Sequence, residues 1–563
     1  MIIEKINKEE ITEDVLSNIV NSLKDIVNKL KMSEDILFSK YKELIDKFNE
    51  IRDHYLTLYW ISYIGYLKDI KNPKYLNTEK VISKYESIID NLINEYFKCL
   101  INYKHKEELI DYIGKRNYEI ASNQSIIVSN DISKLKIREK ELCMQYRKTL
   151  MSLKFVFDNK EMTLSELSSY YNVSNENLRK ESYDKRYEIL ESLEKELDII
   201  FDNLVKVRTE IANKLNFNSY ADLCFVKMNR IGYTYADLDL LKENVRKYIV
   251  PILNILKEHQ KERLNVSNIS YYNKNYLFND GNAIVRISLE EIISNISKIL
   301  YKYNNEVGLM FDTMSKEGLI DLEDRENKSS GGVTTYLPDY NMPIFIKKYI
   351  NLEANVTSIF HELGHSVQLY LSRNLLFHEN RWPTFDICEI HSTSLEFLMY
   401  PFLNMFFKED ENKYKIRHIT SVVSLIVSMC ISDDFQKYIY DNSNISSDDR
   451  KEYWLYLINK YGKKDNTHSY FDKGIEWQAD INRIDDPFYG IDYAISNICA
   501  LSFYDRINNN IEAAFSDYFD LCSKGNTLSL KQIIKKYRLN NPFDGNDIKN
   551  LSNNIIKEIE KII

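Results

Sequence analysis

The segment IFHELGHSVQLYL, residues 359–371, carries two of the chain's nine histidines four positions apart, with a glutamate directly after the first. On an α-helix, positions i and i+4 lie on one face about one turn apart, so the rings of His361 and His365 can share one metal ion. Glu362 is rotated by about 100° from His361 around the helix. From there it can reach a metal-bound water as a base without ligating the metal. This is the chemistry of a zinc hydrolase. The competing reading is a helix with two solvated or core-satisfied histidines.

A catalytic zinc usually takes three protein ligands and a water. A third histidine six residues past His365, preceded by glycine, is one way to complete the set; Gln368 and Leu371 occupy those positions and rule it out. A carboxylate from a second helix remains. In RWPTFDICEIHSTSLEFLMYPFL, Pro383 and Thr384 can open a helix, after which Glu389, Thr393 and Glu396 share one face. With Glu389 on the metal, Glu396 lies two turns along, where it would orient a histidine ring. Cys388 faces about 100° away from Glu389 and reads as core packing.

These residues need rigid elements to hold them. The first 230 residues contain only Gly65, Gly114 and Pro73 as breakers, which predicts long helices with short connections. Tyr183, Tyr187, Leu190, Leu193, Leu197, Ile200, Leu204, Val207 and Ile211 recur at steps of three and four, one apolar face directed at a core. One stretch reads as sheet: GGVTTYLPDYNMPIFIKKYI, residues 331–350, is β-branched and aromatic, and Pro338 and Pro343 divide it into two short strands or an edge strand. The run Ile419–Ile431 is shorter than the roughly 20 residues a bilayer requires and reads as a buried core helix.

The 563 residues, 44% hydrophobic, can bury a large core, as two or more lobes or one large helical body. A net charge of −9 argues against a nucleic-acid surface. The opening MIIEKINKEEI lacks the apolar core of a secretory leader, and the seven scattered cysteines form no C-x-x-C pair. A cytoplasmic protein with reduced thiols and no membrane segment is expected. No glycine-rich phosphate loop and no G-x-S-x-G occurs.

In four stretches the chain resembles the oligoendopeptidase F and thimet oligopeptidase family of zinc peptidases, most closely its bacterial oligoendopeptidase branch. They are GGVTTYLPDYNMPIFI (331–346), NVTSIFHELGHSVQ (355–368), RWPTFDICEIHSTSLEFLMYP (381–401) and WQADINRIDDPFYGIDYAI (477–495). The segment 204–223 is also similar, and the resemblance runs from about residue 180 to 510. It implies one zinc ion on His361, His365 and Glu389, with Glu362 as general base and acid acting on short peptide substrates. The implied fold is mainly α: a large helical ellipsoid with a deep central channel and a small β-sheet at the active site. Residues 1–180 would form an N-terminal helical region and 181–563 the catalytic region. The strand beginning at Gly331, with Gly332 and Val333, would line the channel and pair with substrate backbone.

The resemblance also places oxyanion-donor tyrosines where Tyr489 and Tyr493 stand, four apart on one helical face. His391 follows the family's Glu-Ile and is expected behind the ligands or in the core. Two positions depart from the pattern. Asn482 stands where the family has a transition-state histidine, leaving His468 or His391 as spatial substitutes, and Asn355 replaces an acidic residue six before His361. The departures motivate a second expectation, a zinc-bearing peptide-binding or scaffold protein with weakened or lost catalysis.

Overall fold

With so few breakers, the first part of the chain forms helices of 31, 30 and 39 residues: Phe38–Lys68, Pro73–Asn102 and Glu176–Lys214. Pro73 opens its helix, where a missing N–H costs nothing, and Asn72 caps that end by accepting the Lys74 N–H at 3.0 Å. Along Glu176–Lys214 the apolar face falls where its spacing predicts. Tyr183, Tyr187, Leu190, Leu197, Ile200, Leu204 and Ile211 are buried, and Leu193 and Val207 are partly so.

This computed structural model describes residues 2–33, 35–329, 331–465 and 467–562. The chain is mainly α-helical, with two small sheets among the described residues. It divides into two compact units, each gathered from separate segments. The first comprises Met1–Val128, Ile284–Lys408 and Cys499–Leu539; the second Ser129–Ala283, Glu409–Ile498 and Asn540–Ile563. Position 180 falls inside the helix Glu176–Lys214, and the second unit takes residues from both sides of it.

In the first unit, the helices Glu13–Lys31, Phe38–Lys68 and Pro73–Asn102 close around a core that includes Leu16, Leu23, Tyr41, Phe48 and Tyr96. Stacked rings run through it, Tyr41 on Tyr103 at 3.9 Å and Phe48 on Tyr96 at 4.0 Å. A three-stranded sheet stands against the helix Glu353–Leu371. Val333–Leu337 runs antiparallel to Met342–Ile346, with Val333 opposite Ile346 and Leu337 opposite Met342. Ile320–Asp321 pairs parallel on the other side of Met342–Ile346. Asn341, at φ 50°, turns the hairpin in the left-handed region that asparagine tolerates. This order leaves Val333–Leu337 as an edge strand.

In the second unit, Glu176–Lys214 packs along Ser133–Met151. The run Ile419–Ile431 lies within the 31-residue helix Glu411–Asp441. By length and composition the stretch Asn404–Asp441, which contains that helix, could cross a membrane, yet Ile419, Val423, Ile426, Val427 and Cys430 are fully buried inside the protein, as a core helix requires.

Candidate active site

Two helices of the first unit carry the site: Glu353–Leu371, holding H-E-L-G-H, and Phe385–Leu398, holding Glu389 and Glu396. They approach closely because Gly364 has no side chain. A Cβ there would stand 2.6 Å from Ser392 Cα and 2.8 Å from His391 O, closer than any real contact. From sequence that glycine is merely tolerable in a helix; in the structure it sets the separation of the two helices.

Across this contact the predicted donor set converges. Glu389 Oε2 lies 3.1 Å from His361 Nε2 and 3.4 Å from His365 Nε2. One ligand atom from each of the three residues falls within 4.8 Å of the others. Tetrahedral zinc with bonds of about 2.0 Å holds its ligand atoms about 3.3 Å apart, so the donor set fits that ion in chemistry and in spacing.

The neighbours fix these side chains. His361 Nδ1 donates to Glu396 Oε1 at 2.7 Å, which leaves Nε2 for a cation. Ser392 Oγ donates to Glu389 Oε2 at 2.8 Å. Cys388 Sγ lies 3.6 Å from His365 Nδ1, so it borders the site rather than simply packing in the core. Being one residue from Glu389 turns it off the Glu389 face, but at such close approach that flank still meets the opposite helix.

Charge follows the same geometry. Burial alone would strip a proton from His361, but hydrogen bonds to Glu389 and Glu396 outweigh it and lift its pKa to about 10. His365 is likewise raised well above its usual value against burial, by Cys388 and Glu389. Burial would raise Glu389, yet His365 and His361 hold its carboxyl well below the usual range.

Glu362 is buried, and the edge strand reaches it. Thr334 Oγ1 donates to Glu362 Oε2 at 2.5 Å. Gly332 is just as close: a Cβ there would lie 2.9 Å from Glu362 Oε1 and 2.8 Å from Lys347 Cδ. Gly331 and Gly332 precede the strand, which begins at Val333. Thr334 escaped the sequence reading; the period-two alternation of the strand, which puts positions 334 and 336 on one face, was the available signal.

The remaining candidates sit as follows. His391 is fully buried, and burial, then His365, depress its pKa to about 3. Its Nδ1 contacts Cys388 O at 3.3 Å, and its own carbonyl accepts from Tyr518 at 3.1 Å. Asn355 Oδ1 accepts the Ile350 N–H at 3.2 Å, in the turn before the site helix.

In the second unit, Tyr489 and Tyr493 share a face, with hydroxyls 3.3 Å apart. Asp492 between them is fully buried and takes Arg230 in two hydrogen bonds, Nε at 3.2 Å and Nη2 at 3.0 Å. Arg230 also donates to Phe488 O at 2.6 Å, tying down a residue at φ 70°, where a bulky side chain is strained. Asn482 is exposed and opens the short helix Asn482–Asp485. His468 is held elsewhere in that unit, its Nδ1 accepting the Tyr470 N–H at 3.0 Å beside Tyr187 and Tyr271.

The model of peptidase family M3 matches residues 169–552, and that of the peptidase M3 N-terminal domain matches 9–127. A solved PZ peptidase A, with an inhibitor, is 28% identical over 99% of each chain, with a TM-score of 0.91. A protein assigned as an oligoendopeptidase F is 27% identical over 99% of this chain and 98% of its own, TM-score 0.91. Another so assigned, from Bacillus anthracis str. Ames, is 28% identical over 99% and 98%, TM-score 0.88. No curated protein matches the chain.

Proposed function

The chain belongs to peptidase family M3, and from that premise we propose that it is a zinc-dependent endopeptidase that hydrolyses short oligopeptides. The observation that carries this reading is the meeting of His361, His365 and Glu389, with Glu362 buried on the same helix as the two histidines. His361, His365 and Glu389 would hold one zinc ion, which supplies Lewis-acid activation of water and of the scissile carbonyl when bound.

Glu362 accepts the proton of the attacking water on its carboxylate and returns it to the leaving amine. Thr334 holds that carboxylate by one oxygen, and Gly332 leaves room beside the other. Substrate backbone pairs along the edge strand Val333–Leu337 and the preceding Gly331 and Gly332, extending the sheet by one strand. The family resemblance of their segment supports Tyr489 or Tyr493 as the oxyanion donor and Asn482 as a substrate contact. The free cysteines suit a reducing cytoplasm.

The test is turnover of quenched fluorogenic peptides by purified protein carrying zinc, beside a Glu362→Gln variant. Glu362→Gln is expected to lower kcat by about 10²–10⁴-fold while zinc stays bound. Undiminished turnover in the variant removes the mechanism. A wild type that binds zinc and peptide without cleaving it would be a peptide-binding or scaffold protein instead.

A further inference from the structure

The second unit contains a cavity of about 900 Å³, a size common among ligand sites. The helices Val250–Leu264, Glu411–Asp441 and Ser447–Lys460 line it, with the loops that follow the first and the last. Among its described lining residues are eight basic side chains and three acidic ones, in a chain whose net charge is −9. The positive charge is therefore concentrated here against the balance of the whole protein.

The three carboxylates are engaged. Asp465 pairs with Lys274 at 2.8 Å, Asp480 pairs with Arg483 at 3.2 Å, and Glu476 accepts the Trp454 indole N–H at 3.5 Å. Lys463 is partly buried and has only neutral acceptors: its Nζ donates to Ser428 Oγ at 2.6 Å and to Ser424 Oγ at 3.0 Å. Burial, then Lys257 and Lys274, lower its pKa to about 8. Among the described residues, no carboxylate ion-pairs with Lys463 or with Lys257, which lines the same cavity. Like charges gathered in a concavity repel one another in the folded state and focus anions from solution. Leu256, Leu425, Met429, Trp454 and Ile458 give the cavity an apolar wall.

We propose that this cavity binds an oxyanion, carboxylate or phosphate, with Lys463 and Lys257 as the recognising cations and the apolar wall receiving any hydrocarbon stem the anion carries. Its recognising cations, Lys463 and Lys257, lie outside the metal-ligand set and the general base, so its failure and that of the hydrolytic reading are distinguishable.

The test is calorimetric titration of the full-length Glu362→Gln protein, which leaves peptide intact, in low-salt buffer. The probes are inorganic phosphate, N-acetyl-Leu-Phe with a free carboxylate, and the same dipeptide as its amide. At least one of the two anions is expected to bind, and the amide at least tenfold more weakly than the carboxylate if the dipeptide is the one bound. Adding Lys463→Met or Lys257→Met should each weaken anion binding tenfold or more. Tighter phosphate identifies a free anion as the occupant, and a tighter dipeptide carboxylate identifies a peptide end. Lys257 is exposed, so Lys257→Met carries the test alone if Lys463→Met fails to fold. Absence of binding by both anions, or equal binding by parent and folded variants, overturns the proposal.

Discussion

The hydrogen bond from His361 Nδ1 to Glu396 decides which imidazole nitrogen carries the proton, and so which one faces a cation. Removing such an outer partner typically lowers metal affinity 10–100-fold. Glu396→Ala should therefore lose zinc to a competing chelator at 10–100-fold lower concentration than wild type, with the same fold by circular dichroism. Unchanged competition would deny Glu396 that role. Asn482 allows the opposite kind of test. If it stands in for a histidine donor, Asn482→His should raise kcat by up to about 10²-fold; a fall or no change would take position 482 out of the oxyanion contact. His361, Glu362, Glu389 and Glu396 were legible because helical periodicity assigns each to a face. Thr334 and Cys388 were not, since periodicity within one element says nothing of which side chain meets it from another.

Between elements, the site rests on the contact at Gly364. A methyl group there collides with backbone of the facing helix, and backbone cannot rotate aside as a side-chain tip can. Gly364→Ala should push the two helices apart and cost about 1–3 kcal/mol, the usual range for overpacking. Chemical denaturation would show the loss, and zinc affinity should fall with it. Stability and affinity both equal to wild type would mean that the helices tolerate separation. That each helix exists was readable from caps, breakers and apolar spacing. How near they come was not, because a glycine inside a helical pattern carries the same sequence signal whether it is tolerated or required.

At the scale of the chain, the first unit is stitched together by charges buried far from their partners in sequence. Arg52 and Glu379, 327 positions apart, pair at 2.5 Å with side chains 8% and 7% exposed. Burial would raise the Glu379 carboxyl, but Arg52 and His378 hold it below its usual range. Its stabilisation is thus present above the ordinary glutamate pKa and is lost as pH falls through the depressed value. Glu379→Gln leaves a buried guanidinium uncompensated and should cost about 3–5 kcal/mol in denaturant unfolding at neutral pH. A cost below about 1 kcal/mol would show that water or a neighbour satisfies Arg52. The helical class was evident from composition and patterning. The assembly of each unit from distant segments was not, because nothing local in a sequence records which remote stretch completes a core.

That Arg52–Glu379 pair also sets a clock on biosynthesis. At about 5–20 residues per second, the ribosome needs roughly 15–65 s to extend the nascent chain from the arginine to its carboxylate. Until then the emerging helices carry a cation on a surface destined for the interior, so final docking waits for most of translation, and a holding chaperone would find its client in that interval.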